Sequence, residues 1–159
     1  MIRATRTPLP AAPGRVARHD YESERGGVCK ALISVEPLAG KRLVRITARK
    51  TRTERANFLQ EIAGEYPAVE RITLVTDQLN IHGPGSCDEA FPPDEAKKLW
   101  DRFEFVDTPK HGSGLEMAEI ELNVLIKQCL DRRIDNGAER QAEAAAWQNR
   151  RNNTNARID

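Results

Sequence analysis

Residues 28–36 and 41–48 are two strand-like runs joined by Pro37-Leu-Ala-Gly40, and a chain built this way is committed early to sheet structure. The alternation of Leu43 with Val44, Arg45 and Ile46 fits a hairpin. Beyond the hairpin the period changes. From Thr53, a helix N-cap candidate, Phe58, Leu59 and Ile62 recur at helical spacing until Gly64 and Pro67 stop the run. Ile72, Thr73, Leu74 and Val75 read as a short buried strand ending at Asp77. Pro93–Trp100 reads as a short helix with proline in its first turn, and 103–108 as another strand. The spacing predicts a longer helix over 115–130, with Leu115, Ala118, Leu122, Leu125, Ile126 and Cys129 as one apolar stripe. Asn136-Gly137 breaks it, and a further helix runs from Ala138 to about Arg150. Strands alternating with helices predict an α/β fold.

The ends differ from this middle. Residues 1–27 carry Pro8, Pro10, Pro13, Gly14, Gly26 and Gly27 with almost no apolar periodicity, and read as an extended lead-in. Residues 152–159 have no core-forming content and read as a frayed tail. That leaves one domain over 28–151, and there are no internal repeats. A chain of 159 residues has room for one modest core.

Charge narrows the function little. Charged residues make up 31% and the net charge is +1, so no global field argues for nucleic acid, although Arg42, Arg45, Arg49, Lys50 and Arg52 cluster. A solvated hairpin edge explains that cluster equally well. Cys29, Cys87 and Cys129 are odd in number, far apart and without metal-ligand spacing, which suits reduced thiols in a cytoplasmic protein. No apolar run approaches the roughly 20 residues of a membrane span, and no signal-peptide core comes after Met1.

Two carboxylates stand out. Asp77 sits at a strand end, where clefts open in α/β sheets. At about 100° per residue along 115–130, Glu119 falls at the margin of the apolar stripe, Glu116 points well away and Glu121 lies on the opposite flank. Carboxylates so placed can hold the divalent ions that activate the attacking oxygen and stabilise the leaving oxygen in phosphodiester chemistry. An Asp after a strand is more often a turn residue, and a Glu beside a stripe is more often solvated, so the residues alone favour those readings over a metal site.

The motifs resemble one family. Leu74-Val-Thr-Asp-Gln-Leu-Asn-Ile-His82 is similar to the Leu-Val-x-Asp-Asn-Leu-Asn-x-His of bacterial insertion-sequence transposases of the DDE superfamily, in the mariner-related group called six-thirty. Cys87-Asp-Glu-Ala-Phe-Pro-Pro-Asp-Glu-Ala96 echoes the group's Tyr-Glu-Ala-Phe-Pro-Pro-Glu-Glu-Ala, and Gln128-Cys-Leu-Asp-Arg-Arg133 also fits. The resemblance implies a ribonuclease H-like mixed sheet flanked by helices, and DNA cleavage and strand transfer with Mg2+ or Mn2+. It implies Asp77 and Glu119 as the second and third metal-binding, catalytic carboxylates. Asn80, His82, Lys110 and His111 would be phosphate or DNA contacts, Lys110-His-Gly-Ser113 leading into a helix N-terminus that suits a phosphate. A simple loop-to-helix entry accounts for that segment nearly as well. The implied partners are transposon ends, target DNA, and a second copy or a full-length transposase.

The chain also departs from the group. The group's first carboxylate lies on a central strand preceding a segment like Thr5-Arg-Thr-Pro-Leu-Pro-Ala-Ala-Pro-Gly14, and here the sequence begins with that segment. Asp20 falls in an Arg-His-Asp-Tyr-Glu stretch that relatives carry in addition to their first ligand. Gly-Ser-Gly114-Leu-Glu116 replaces Gly-Ser-Trp-Leu-Asn, which removes an aromatic anchor and adds a charge. The expectation is therefore a partial, defective copy, clipped at both ends and lacking the central strand and the helix-turn-helix reading module. Its uncovered strand edges would favour pairing with another chain and make the fold marginal. The alternative is a non-catalytic fragment that binds full-length transposase or DNA and modulates transposition.

Overall fold

A computed structural model describes residues 2–4, 9–17, 23–25, 28–76, 85–108, 117–132, 134 and 136–157. Its first element is a small antiparallel pair, β1 (Ile2–Ala4) with β2 (Ser23–Arg25), in which Ile2 faces Arg25. It lies within the stretch expected to be an extended lead-in.

The expected hairpin forms from β3 (Lys30–Glu36) and β4 (Lys41–Thr47), in register from Lys30 opposite Thr47 to Glu36 opposite Lys41. Its turn closes with the Gly40 amide donating to the Pro37 carbonyl at 3.2 Å. Gly40 has φ +63°, and a Cβ there would stand 2.8 Å from the backbone of Asn155, so glycine is required for both conformation and space.

Because strand side chains alternate, the hairpin serves two cores at once. One face turns Leu32 and Leu43 toward α1 (Arg52–Glu65) and its buried Ala56, Phe58, Leu59, Ile62 and Ala63. The other turns Ile33, Val44 and Ile46 toward Leu125, Cys129, Ala144 and Trp147 of the C-terminal helices. The helix α1 starts two residues earlier than its sequence suggests. Thr51, not Thr53, is the N-cap, its side chain accepting from the Glu54 amide at 3.1 Å.

At the far end of α1, Arg102 donates to the carbonyls of Ala63, Tyr66 and Val69 at 3.1, 2.6 and 2.8 Å. These include carbonyls that a helix C-terminus leaves unsatisfied. Arg102 immediately precedes β6 (Phe103–Asp107), which pairs in parallel with β5 (Ile72–Thr76), Ile72 facing Phe103 and Thr76 facing Asp107. Between the two strands come α2 (Gly85–Asp88), a turn with no clear signal in the sequence, and α3 (Pro93–Trp100), which forms where the sequence places it. Ile72, Leu74, Phe103 and Phe105 pack into the α1 core, where the Trp100 and Phe105 rings stack at 4.5 Å. The opposite face of the pair is open among the described residues, with Val75 61% and Val106 43% exposed.

The expected helix over 115–130 is described from Met117 and is not uniform. α4 (Met117–Leu125) passes into a π turn (Ile126–Leu130), closed by the Asp131 amide bonding the Ile126 carbonyl at 2.7 Å. The wider turn changes the phase of the stripe, so Leu125 and Cys129 are buried while Ile126 is 42% exposed. α5 (Gly137–Asn153) is capped by Asn136, whose side chain accepts from the Glu139 amide at 2.7 Å.

This last helix seals the outer edge of β4. Gln141, Gln148 and Asn152 accept from the amides of Ile46, Val44 and Arg42 at 2.6, 2.7 and 3.0 Å, and Asn152 donates back to the Arg42 carbonyl. Asn152 and Ala156, both in the stretch expected to fray, also bond the Arg42 side chain.

The α/β composition is as the sequence predicts. The strands, however, form three two-stranded sheets, and among the described residues no ladder joins the hairpin to the parallel pair.

Candidate functional site

Asp77, Asn80, His82, Lys110 and His111 lie outside the described residues. What the structure does fix is the strand end leading to position 77. β5 is hydrogen-bonded to its last residue, with the Thr108 amide donating to the Thr76 carbonyl at 3.0 Å. Thr76 buries a hydroxyl that has no partner among the described residues. Across from it on β6, Asp107 is exposed at the same C-terminal edge. Asp107 was not among the residues the sequence singled out; the signal available was its position one residue before the end of the predicted strand.

On α4 the two described glutamates take opposite roles. Glu119 stands in the first turn, exposed, with no hydrogen bond or ion pair among the described residues. Glu121 is 1% exposed and lies between two arginines. Its Oε1 accepts from Arg151 Nη2 at 2.5 Å, and its Oε2 lies 3.1 Å from Arg42 Nε. The second contact is ionic without the alignment of a hydrogen bond. Burial lowers the pKa of Arg42 and the neighbouring Arg151 lowers it further, while Glu121 opposes both. Arg42 nonetheless stays charged, as arginine does in proteins, and it donates to the Gly40 and Ala156 carbonyls as well. Glu121 therefore ties α4, β4 and α5 together, with both its oxygens engaged. Of the two, only Glu119 presents its carboxylate to solvent.

The basic cluster is only partly a surface. Arg42 is buried, Arg45 is paired with Glu61, and Arg52 meets Glu89 at 2.7 Å. Arg49 and Lys50 are exposed. A pocket beside α1, lined by Arg45, Glu54, Asn57, Phe58, Gln60 and Glu61, lies across the hairpin from α4 and shares no residue with the predicted site.

The three thiols are free. Burial raises the pKa of Cys87 and of Cys129, and Cys29 accepts from Arg140 Nη1 at 3.1 Å. Among the described residues no three His, Cys, Asp or Glu side chains converge as a metal site would need, so a metal held at Glu119 would need ligands from outside them. No helix among them is long and apolar enough to cross a membrane.

Comparison with known proteins gives one match. The family model for the DDE superfamily endonuclease matches residues 2–140. No curated protein and no solved structure matches.

Proposed function

Since the chain belongs to the DDE superfamily of endonucleases, we propose that it is the catalytic portion of a transposase that cuts DNA and joins strands by metal-assisted phosphoryl transfer. The observation that carries this reading is the family match over residues 2–140. The motifs around Asp77 and Glu119 narrow it to the mariner-related six-thirty group. Its substrates are transposon ends and target DNA in the cytoplasm, and its partners are a second copy or a full-length transposase.

Asp77 and Glu119 are the carboxylates we assign to Mg2+ or Mn2+. A divalent ion supplies an activated oxygen nucleophile and charge stabilisation at the leaving oxygen. Two features support Glu119 as the α4 ligand: its exposed carboxylate, and the engagement of its neighbour Glu121 by Arg42 and Arg151. Asn80, His82, Lys110 and His111 take the phosphate contacts.

The hairpin and the parallel pair, both packed on α1, read as two parts of a ribonuclease H-like sheet. On this reading residues 28–151 form the partial catalytic domain, 1–27 its lead-in and 152–159 its tail. The motif supplies two of the family's three carboxylates, Asp77 and Glu119, within these 159 residues. A non-catalytic role, docking on intact transposase or DNA to modulate transposition, is the second reading, and the strand edges left unpaired among the described residues favour it.

The test is nicking of supercoiled DNA by the chain with Mn2+, alongside Mn2+ binding followed by electron paramagnetic resonance. Weak nicking lost in both Asp77→Ala and Glu119→Ala supports the assignment. Mn2+ binding that depends on the same two residues, without nicking, identifies a defective copy. Nicking that survives both substitutions refutes the assignment, and the absence of both activities favours the non-catalytic reading.

A further inference from the structure

We propose that Arg42 and Arg151, by gripping Glu121, hold α4 one residue out of phase with the rest of its helix and so aim Glu119, which makes them positioning residues of the metal site proposed above. The π turn is the mark of that offset. Its last amide bond runs from Asp131 back five residues to the Ile126 carbonyl, so the turn holds one residue more than an α turn. At about 100° per residue, α4 is therefore rotated by about that angle from a regular helix continued upstream of Cys129.

In such a regular helix each place on α4 would pass to the next residue in the sequence. Ile126 would take the buried place of Leu125, and Leu122 would take that of Glu121. Apolar burial favours that arrangement, because it turns the exposed Ile126 side chain inward and exchanges a carboxylate that is 1% exposed for a leucine. The helix adopts the other phase, at the further cost of a π turn. What opposes the regular phase is the ion cluster. Glu121 would move to the exposed place of Ile120, and Arg42 and Arg151, whose side chains are 0% and 19% exposed, would face a leucine.

The offset decides which side chain α4 presents to solvent. Glu119, two residues and about 200° from Glu121, stands exposed. Without the offset Ile120 would take that direction, and Glu119 would fall to the half-buried place of Ala118. The buried cluster thus puts a carboxylate where a regular helix puts an isoleucine.

With Glu119 as the metal ligand of the proposed function, on which this rests, Mn2+ binding by the whole chain, followed by electron paramagnetic resonance, tests ligand and grip separately. Glu119→Ala reports on the ligand. Glu121→Ala frees α4 to become regular and should weaken Mn2+ binding about 10–100-fold, with no further loss when the two substitutions are combined. Deleting Lys127, an exposed residue of the π turn, removes the extra residue and leaves Glu121 gripped, so Mn2+ should bind as in the parent. Adding Glu121→Ala to that deletion should then cost no affinity, because the regular helix now holds the same phase unaided. A cluster that only stabilises the fold would show no such rescue. A metal-free readout is Ile126→Cys, whose thiol should react readily in the parent and about tenfold more slowly or less with Glu121→Ala, as position 126 turns inward. Mn2+ binding indifferent to Glu119→Ala would refute the ligand assignment. Binding lost with Glu119→Ala but kept with Glu121→Ala, or labelling at position 126 that ignores Glu121→Ala, would overturn the role of the grip. If Glu121→Ala does not fold, the deletion of Lys127 decides alone, and a loss of fold or of Mn2+ binding there overturns the proposal.

Discussion

Replacing Glu121 by glutamine tests whether the buried ion cluster fastens the C-terminal helices to the hairpin. The substitution keeps the shape and removes the one negative charge between Arg42, whose side chain is 0% exposed, and Arg151, at 19%. Two guanidinium groups are then left facing each other with the intervening charge gone. Removing one partner of a buried ion pair costs about 3–5 kcal/mol; the glutamine amide retains an acceptor for Arg151, which places this case near the lower figure. Unfolding entropy of about 2.1 cal/mol/K per residue over 159 residues is roughly 0.33 kcal/mol/K, so about 3 kcal/mol lowers the Tm by about 9 °C. Differential scanning calorimetry reads the shift directly. Glu119→Gln is the control: its side chain is exposed and without described partners, so it should stay within about 0.5 kcal/mol of the parent. A Glu121→Gln protein melting within about 2 °C of the parent would mean that the arginines are stabilised by water or by their backbone acceptors, and the reasoning would fail.

The same packing leads to three further outcomes. Gln148→Leu leaves the Val44 amide without its acceptor, should cost about 1–3 kcal/mol, and should speed hydrogen exchange at Val44 ahead of the other hairpin amides. A thiol reagent should label Cys29 quickly in the native chain and Cys87 and Cys129 only on unfolding, since they are 1% and 7% exposed; fast labelling at more than one site would contradict the packing. Burial raises the folded pKa of Cys87, Cys129 and Tyr66, so each favours its neutral form when folded. The unfolded groups therefore ionise first. Denaturant midpoints should be level below about pH 8 and fall above it, and a Cys129→Ala variant should fall less steeply.

Local patterns carried much of this fold. The β3–β4 hairpin, α3, β5 and β6 each lie within two residues of their expected bounds, because period, turn residues and a first-turn proline are all short-range signals. The start of α1 is misplaced by sequence because Thr51 and Thr53 both suit a cap and only Thr51 accepts the Glu54 amide. The π turn is hidden because one widened turn leaves the spacing of apolar residues nearly helical. The cluster of Arg42, Glu121 and Arg151 is out of reach for another reason: its members come from three distant parts of the chain, and each alone looks like a solvated charge. The same holds for Gln141, Gln148 and Asn152, which read as the polar side of a helix until β4 is laid against them. At the candidate site, the motif supplies the residues, and the structure adds that Glu119 is open to solvent while Glu121 is engaged.

That no ladder joins the hairpin to the parallel pair among the described residues also bears on precision. A group at the end of β5 is located by packing of β5 on α1, a group on α4 by packing on β3, and the two are related only through the α1–hairpin interface among the described residues. Positional errors along such a series add, whereas neighbouring strands hold one another at a spacing of about 4.8 Å. Reaction geometry tolerates roughly 0.5 Å. Loosening α1 would therefore blur the distance between the two ends of the series before it unfolded either one.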